Sequence, residues 1–273
     1  MAVNSLIKKT SGGDNFMKIL LTNDDGVNAR GIRVLKEKLS QIAEVKIVAP
    51  DSERSVCGHG LTLRGPLFIS EVEQNIWGCS GYPADCVYWA LTTLYNGQPP
   101  DLVISGINRG ANLGQDTYYS GTVAGAREAT FHGVRAVALS TSMLRSQIHN
   151  YSHHLHYEVA ADYMLSLIEK GVCEEITTNH FLNINVPNCE RTQIQGVELA
   201  TVGFRKYSNS VSTRVGPSEQ SYFWITGQLL GDEQIPQSDC VTIENNKISV
   251  SLINVIPKSS DNTTGLSKII NWK

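Results

Sequence analysis

Several features that define whole classes of proteins are missing from this sequence of 273 residues. No stretch approaches the roughly 20 apolar residues that a membrane-spanning helix needs, so we expect no membrane partner. The six cysteines include no C-x-x-C pair, which argues against a zinc knuckle or a redox motif and favours reduced thiols in the cytoplasm. Neither the Walker A pattern nor the G-x-G-x-x-G fingerprint occurs.

Charge of one sign is also scarce. Charged residues make up 18% of the chain and the formal net charge is −3, with no basic stripe that could neutralise a row of phosphates. A nucleic-acid polymer is therefore not an expected partner. With 41% hydrophobic residues, the chain is long enough to bury roughly 70–75% of its unfolded surface.

The first 16 residues contain two lysines and no apolar core long enough for a signal peptide. Met17 begins the first strand-like run, so residues 1–16 are predicted to be a flexible N-terminal extension.

The segment 17–187 alternates strand-like runs with helical ones, which is typical of α/β proteins. Ile32, Leu35 and Leu39 recur at helical spacing between the first two strand-like runs, KILL and VKIVAP. Near-continuous apolar strands are expected where helices cover both faces of a sheet. Three further runs of this kind follow: DLVISG, AVALSTS and FLNINVP. We therefore expect a Rossmann-like domain with a mostly parallel sheet.

The sequence also predicts where helices begin and where the pattern changes from alternating strands and helices to mainly β-type runs. Pro83 suits a first helical turn, Ser120 is a suitable N-cap, and a longer helix is predicted over about 155–168. The segment 188–273 has alternating β-type runs, and Glu244–Lys247 looks like a hairpin turn. Because isolated hairpins are marginal in water, this β-rich extension should pack on the main domain or on another subunit.

Two adjacent acids, Asp24 and Asp25, stand where the first strand gives way to Gly26. Neighbouring side chains on a strand point to opposite faces, so a turn at the glycine is needed for the two carboxylates to converge. That turn would lie at the carboxyl edge of the sheet, where open α/β folds bind ligands. Two repelling carboxylates favour a hard divalent cation such as Mg²⁺, Mn²⁺ or Ca²⁺. Alternatively, one aspartate caps the next helix and the other is solvated.

Other predicted strand ends add polar groups to the same edge. The second strand is followed by Ser55, and the DLVISG strand runs into a loop rich in asparagine and glycine. That loop leads to a helix start, where backbone N–H groups and the helix dipole attract anions. Phosphate is the expected guest, with donors from Ser120, Gly121 and Thr122, and with Asn108 or Asn112 presenting amide groups.

Five segments of the sequence are similar to the SurE family of stationary-phase survival proteins, which are metal-dependent nucleotidases. The resemblance runs from about Met17 to Pro257, and its most specific motifs are NDDG, SGIN and YSGTV. The matching segments are ILLTNDDGVNARGI, VAPDSERS, PADCVYWAL, DLVISGINRGANLGQDTYYSGTVAGAREA and NKISVSLINVIP.

The resemblance implies a Rossmann-like domain with a smaller C-terminal β region that takes part in a homodimer or homotetramer. It also implies hydrolysis of nucleoside 5′- and 3′-monophosphates, and of short polyphosphate in some members. One divalent cation per subunit, most naturally Mg²⁺ or Mn²⁺, would be held by ligands at four positions: Asp24, Asp25, Ser55 and Asn108. Phosphomonoester hydrolysis also needs a positioned water and donors for the phosphoryl oxygens. We therefore expect Asp24 to be the catalytic residue, and Asn112 with Ser120–Thr122 to hold the phosphate.

Two rival functions share parts of this pattern. A receiver-like signalling module also places an acid pair after its first strand, but it requires an aspartate phospho-acceptor where this sequence has Ser105 and Asn108. A metal-dependent transferase for nucleotide sugars would need an Asp-x-Asp signature, which is missing.

Other candidate residues have weaker patterns. His149, His153, His154 and His156 could form a metal site, although a solvated helix start is the simpler interpretation. His59 lies in the loop after Ser55 and could contact phosphate or simply pack. Tyr118 and Tyr119 could line a base pocket or cover core. Cys57 has no partner motif that would mark it as a nucleophile.

Overall fold

The computed structural model describes residues 16–143 and 154–257. Apart from Phe16, the predicted N-terminal extension lies outside these residues, and so do His149 and His153 of the histidine-rich segment. No helix within the described ranges is long and apolar enough to cross a bilayer.

Strands and helices alternate over the first part of the chain. The strands of this part are β1 (Met17–Thr22), β2 (Ala43–Pro50), β3 (Ile69–Glu73), β4 (Ile76–Cys79), β5 (Leu102–Arg109), β6 (Ala136–Ser142) and β7 (His180–Pro187). The helices are α1 (Arg30–Leu39), α2 (Pro83–Trp89), α3 (Gly121–Phe131), α4 (Tyr157–Glu169) and α5 (Val172–Glu175), and a π-helical segment, Ala90–Leu94, continues α2.

Two strands of the C-terminal part, β8 (Val197–Leu199) and β13 (Ile248–Asn254), join the sheet. Its nine strands have the order β3-β4-β2-β1-β5-β6-β7-β13-β8. The pairs from β4 through β7 are all parallel, and antiparallel partners occur only towards the two ends, where β3 meets β4 and β13 meets β7. This arrangement confirms the predicted Rossmann-like, mostly parallel sheet.

Helices cover both faces of the sheet because strand residues alternate in direction. Ile19 and Leu21 of β1 pack with α1 and α4 on one face, whereas Leu20 between them packs with α2 and α3 on the other. The residues predicted to form the buried side of the first helix, Ile32 and Leu35 among them, are fully buried. Two apolar cores therefore hold β1 rigidly at the centre of the fold.

The C-terminal part mixes sheet strands with separate ribbons. Its elements are β8 (Val197–Leu199), β9 (Arg205–Tyr207), β10 (Val211–Val215), β11 (Ser221–Ile225), β12 (Leu229–Asp232), α6 (Asp239–Glu244) and β13 (Ile248–Asn254). The pairs β10–β11 and β9–β12 form two antiparallel ribbons, which are the extra hairpin strands expected here. Strands β8 and β13 instead join the main sheet.

The predicted hairpin around Glu244–Lys247 is wrong, because the segment before it is helix α6. Ser238 caps this helix by accepting a hydrogen bond from the backbone N–H of Val241 at 3.3 Å. Cys240 and Ile243, three residues apart, are both buried on one helical face. The cap and this spacing outweigh the β-type residues of the segment.

Candidate metal and phosphate site

The central strand β1 positions the candidate site, because its two neighbours are β2 and β5. All three strands run parallel, so the loops that follow them emerge at one edge. The backbone N–H of Arg54, in the loop after β2, donates to the carbonyl of Asp24 at 2.7 Å. The backbone N–H of Arg109, at the end of β5, donates to the Asp25 carboxylate at 3.0 Å. The structure therefore brings the three predicted loops together.

The turn after β1 is built by Asn23 and Gly26. The side-chain amide of Asn23 donates to the carbonyl of Gly26 at 2.9 Å, and its oxygen accepts the Gly26 N–H at 3.1 Å. Gly26 has φ of +104°, a conformation that favours glycine. This confirms the sharp turn that was predicted. Asn23 was missed by sequence reasoning, although an asparagine before a glycine turn is a recognisable signal.

The acid pair does not serve as a helix cap. The N-cap residue of α1 is Ala29, which has no side-chain acceptor, and Asp24 is only 5% exposed. The alternative in which one aspartate caps the helix and the other is solvated is therefore wrong.

Asp24 faces the start of α3. Its carboxylate accepts a hydrogen bond from the hydroxyl of Thr122. A Cβ added at Gly121 would lie 2.8 Å from the Cβ of Asp24, so glycine is required for this close approach. Burial raises the pKa of Asp24 above its ordinary value, and hydrogen bonds from Thr122 and Gly121 oppose that rise without cancelling it. The carboxylate is thus held in a poorly hydrated place beside a helix N-terminus.

Asp25 faces the end of β5 and is partly buried. Burial, with the nearby charge of Asp24 as a smaller cause, raises the pKa of Asp25 to about 6, while the Arg109 N–H acts in the opposite direction. The guanidinium of Arg109 also contacts Glu53 at 3.3 Å. No Arg or Lys stands beside the acid pair in the sequence, but the fold brings Arg109 next to Asp25. Arg109 is 84 residues from Asp25 and was not singled out.

The strands beside β1 contribute Ser55, in the loop after β2, and Asn108, the next-to-last residue of β5. Ser55 is exposed, and its hydroxyl donates to Glu53 at 2.6 Å. Asn108 is partly buried, and its amide N–H donates to the carbonyl of Gly110 at 2.9 Å, which leaves the amide oxygen to accept or to ligate. Ser55 follows β2, as predicted, whereas Asn108, which was predicted to follow its strand, lies within β5.

These residues fit a hard divalent cation. The donor groups are carboxylate, hydroxyl and amide oxygens, which Mg²⁺ and Mn²⁺ prefer. Burial makes the negative charges of Asp24 and Asp25 costly, and a cation would neutralise them. No cluster of three His, Cys, Asp or Glu side chains within the described part could hold a metal. A cation beside the acid pair would therefore need Ser55 and Asn108 as well.

The start of α3 supplies anion-binding groups next to Asp24. Ser120 is the N-cap, as predicted, and its hydroxyl accepts from the Val123 N–H at 3.0 Å. The N–H groups of the first helical turn have no carbonyl partner within the helix and carry the positive end of its dipole. Asn112 lies deeper, where its amide donates to Ser140 at 2.8 Å and its backbone N–H donates to Asn185 at 2.8 Å. Of the predicted phosphate contacts, Ser120–Thr122 adjoin the acid pair, whereas Asn112 belongs to a buried amide network.

The structure also shows the surroundings of the other histidine, cysteine and tyrosine residues that the sequence suggested as candidates. His59 contacts the buried carboxylate of Glu128 at 2.7 Å, so this ring packs against α3. Burial and the nearby Asp24 raise the pKa of Cys57 to about 11, which keeps the thiol protonated. Tyr118 and Tyr119 are more than half exposed and do not cover core. The rings of His154 and His156 lie edge to face, with centroids 5.0 Å apart.

Fold and site together define a Rossmann-like α/β protein whose candidate ligand site lies at the carboxyl edge of its parallel strands, between an acid pair and a helix start. Residues 19–209 match the family described as Survival protein SurE. This chain belongs to that family.

Known proteins similar to this chain extend over nearly its whole length. The 5′-nucleotidase SurE of Trichormus variabilis is 38% identical and covers 94% of this chain and 98% of its own. The 5′-nucleotidase SurE of Thermosipho africanus is 41% identical, and the match covers 88% of this chain and 92% of that protein. The crystal structure of the SurE protein from Aquifex aeolicus superposes with a TM-score of 0.77 at 31% identity, covering 92% of this chain and 98% of that one.

Proposed function

We propose that this chain is a divalent-cation-dependent nucleotidase that hydrolyses nucleoside 5′- and 3′-monophosphates to nucleoside and phosphate, and that it also accepts short polyphosphate. The observation that carries the proposal is the meeting of Asp24 with the start of α3 through the Thr122 hydroxyl. This contact puts a carboxylate that suits a cation beside backbone groups that suit a phosphate.

The broader class follows from the family. As a SurE protein with curated relatives named 5′-nucleotidase at 36–41% identity, the chain is a 5′-nucleotidase, and so a phosphoric monoester hydrolase. Cation dependence, the 3′ activity, the use of polyphosphate and the roles of individual residues go beyond this class and are proposals. Membership of the family excludes the receiver-like and transferase alternatives.

Asp24, Asp25, Ser55 and Asn108 would hold the cation, with Mg²⁺ or Mn²⁺ as the candidates. When bound, such an ion supplies Lewis acidity towards a phosphoryl oxygen and lowers the pKa of a water molecule. The loops that carry these ligands are fixed before any ligand arrives, because the Asp24 carbonyl and the Asp25 carboxylate already bind the backbone of the neighbouring loops.

Asp24 is also the candidate catalytic residue. As a ligand of the cation, its carboxylate would lie beside a water whose pKa the cation lowers, which is the position that a general base needs. The Thr122 hydroxyl fixes its orientation, so Asp24 can direct or deprotonate an attacking water. Because Gly121 has no side chain, the backbone at the helix start can lie directly against the Asp24 carboxylate.

The phosphate would lie against Ser120–Thr122. Backbone N–H groups at a helix start are preorganised donors, so they stabilise the charge that grows on the phosphoryl oxygens without having to reorient. The Ser120 hydroxyl closes this turn by capping it.

A panel of nucleoside 5′- and 3′-monophosphates and tripolyphosphate, each assayed with Mn²⁺, Mg²⁺ or EDTA, tests the proposal by release of free phosphate. We expect release with metal and none with EDTA. Asp24→Asn should lower kcat at least 10³-fold while the circular dichroism spectrum is unchanged. Asp101→Asn is the matched control, because Asp101 binds the Lys18 N–H at the opposite edge of β1. Near-normal turnover by the Asp24 variant would remove Asp24 from the mechanism.

The ribbon formed by β10 and β11 supports the proposal that this chain assembles into a homodimer or homotetramer. Strands β10 and β11 carry large apolar side chains that are more than half exposed, with Phe223 and Trp224 adjacent in the sequence. Exposed apolar clusters of this kind mark interaction sites. The cytoplasm is the proposed compartment, because all six cysteines are free thiols.

A further inference from the structure

A cavity of about 590 Å³ adjoins Asp25, and its lining includes no residue of α3. Its walls come from the start of α1, the end of β5, the loop after β2 and the segment leading into α4. This volume lies within the range of small-ligand sites. Asp24 faces the helix start, whereas Asp25 lines the cavity, so a substrate whose phosphate contacts Ser120–Thr122 would extend its remaining part past Asp25 into this space.

The charges in the lining are balanced. Two guanidinium groups, from Arg30 and Arg109, are matched by two carboxylates, from Asp25 and Glu53, and the imidazole of His154 also lines the cavity. Arg109 contacts Glu53 at 3.3 Å, and Arg30 contacts Glu158 of α4 at 2.7 Å. A second phosphate would be repelled by the carboxylates and would find each guanidinium already paired. The balance favours an uncharged group that both donates and accepts hydrogen bonds.

The remaining lining favours a flat, partly apolar group. Leu155 and the buried Tyr157 contribute apolar surface to the lining. A guanidinium plane stacks on the faces of nucleic-acid bases, and both arginine side chains are about half exposed, which leaves their faces accessible. Glu53 and Asp25 are acceptors suited to ribose hydroxyls or exocyclic amines.

We propose that this cavity is the subsite for the nucleoside part of the substrate, and that Arg30 and Arg109 are its specificity-determining residues. The inference rests on the proposed nucleotidase function. Tyr118 and Tyr119, the aromatic residues that sequence reasoning offered as a base pocket, lie on the helix-start side and are not among the residues that line this cavity.

The test compares two phosphate esters that differ only in the base, adenosine 5′-monophosphate and ribose 5-phosphate. Arg109→Ala and Arg30→Ala should each lower kcat/KM for the nucleotide at least tenfold more than for ribose 5-phosphate, mainly through KM. Arg109→Lys keeps the charge but loses the planar group, so its selective loss should approach that of alanine. Lys38→Ala is the matched control, because Lys38 also links α1 to α4, through Asp162 at 2.5 Å, but does not line the cavity.

A second readout does not depend on turnover. Binding of uncharged adenosine to the metal-free protein, measured by calorimetry, should weaken at least fivefold in both arginine variants and be unchanged in Lys38→Ala. Equal losses on the two esters, or adenosine binding that does not differ between the wild type and the arginine variants, would overturn the subsite. A selective loss in Tyr119→Ala alone would also overturn it and would place the base beside α3. Absence of phosphate release by the wild type would instead reject the proposed function, and adenosine binding would still decide the inference.

Discussion

The stability of the metal-free protein should fall as the carboxylate of Asp25 ionises. Burial raises the pKa of Asp25 from 3.8 to about 6. The folded state therefore holds this proton more tightly than the unfolded chain does. The resulting stabilisation is fully present below pH 3.8 and is lost as the pH rises through about 6.

The magnitude follows from the size of the shift. About two pH units correspond to about 3 kcal/mol, which solvent screening of a partly buried carboxylate reduces to about 2 kcal/mol. Asn at this position can still accept the Arg109 N–H but does not ionise. The free energy of unfolding of the wild type minus that of Asp25→Asn should therefore decrease by about 2 kcal/mol between pH 4 and pH 7.

Urea denaturation in EDTA at several pH values measures this difference. Glu73→Gln is a control of opposite sign, because the hydrogen bond from Arg33 lowers the pKa of Glu73. The stabilisation by Glu73 is present above the ordinary pKa of a glutamate and is lost at low pH. The free energy of unfolding of the wild type minus that of Glu73→Gln should therefore increase with pH. Adding Mn²⁺ at pH 7 should raise the free energy of unfolding of the wild type more than that of Asp25→Asn. If the difference in free energy of unfolding between the wild type and Asp25→Asn stays constant from pH 4 to pH 7, the reasoning is refuted.

Three further outcomes are expected. Gly121→Ala should destabilise the protein by about 1–3 kcal/mol and lower activity, because its Cβ would lie 2.8 Å from the Cβ of Asp24. The same change at Gly65, which has open space around it, is the control in thermal melts. Because the pKa of Cys57 is raised from 9.0 to about 11, its alkylation by iodoacetamide at pH 7.5, followed by mass spectrometry, should be roughly 100-fold slower than that of an ordinary thiol. Labelling at the ordinary rate would contradict the burial of this thiol. Trp224→Glu should shift the assembly to smaller species in light scattering, and an unchanged mass would exclude the β10–β11 ribbon from the contact.

The parts of the fold that follow from local patterns could be predicted from the sequence. Continuous apolar runs marked the parallel strands β1, β2, β5, β6 and β7 because both faces of the sheet are covered, whereas the short strand β4 was not predicted. The N-cap at Ser120 and the turn at Gly26 were predicted because their chemistry lies within a few residues. The acid pair was placed at the correct edge for the same reason.

Features that depend on distant contacts could not be predicted. Strand β5 was predicted to end at Gly106 but continues to Arg109, with a register shift between Ser105 and Asn108 against β6. Such an irregularity redirects the strand end, and here the backbone of Arg109 reaches Asp25. No local pattern records that contact. Helix α6 was missed because β-type residues occupy a segment whose buried face is set by tertiary packing.

The position of β13 beside β7 has a consequence for synthesis on the ribosome. All the parallel strands through β7 are synthesised first, but β13, the second partner of β7, begins only at Ile248. At about 5–20 residues per second, roughly 3–12 s pass before translation reaches that strand from Pro187. During this interval the nascent sheet presents an open hydrogen-bonding edge, which is a template for pairing with other chains. A chaperone that shields this edge would therefore raise the yield of correctly folded chains.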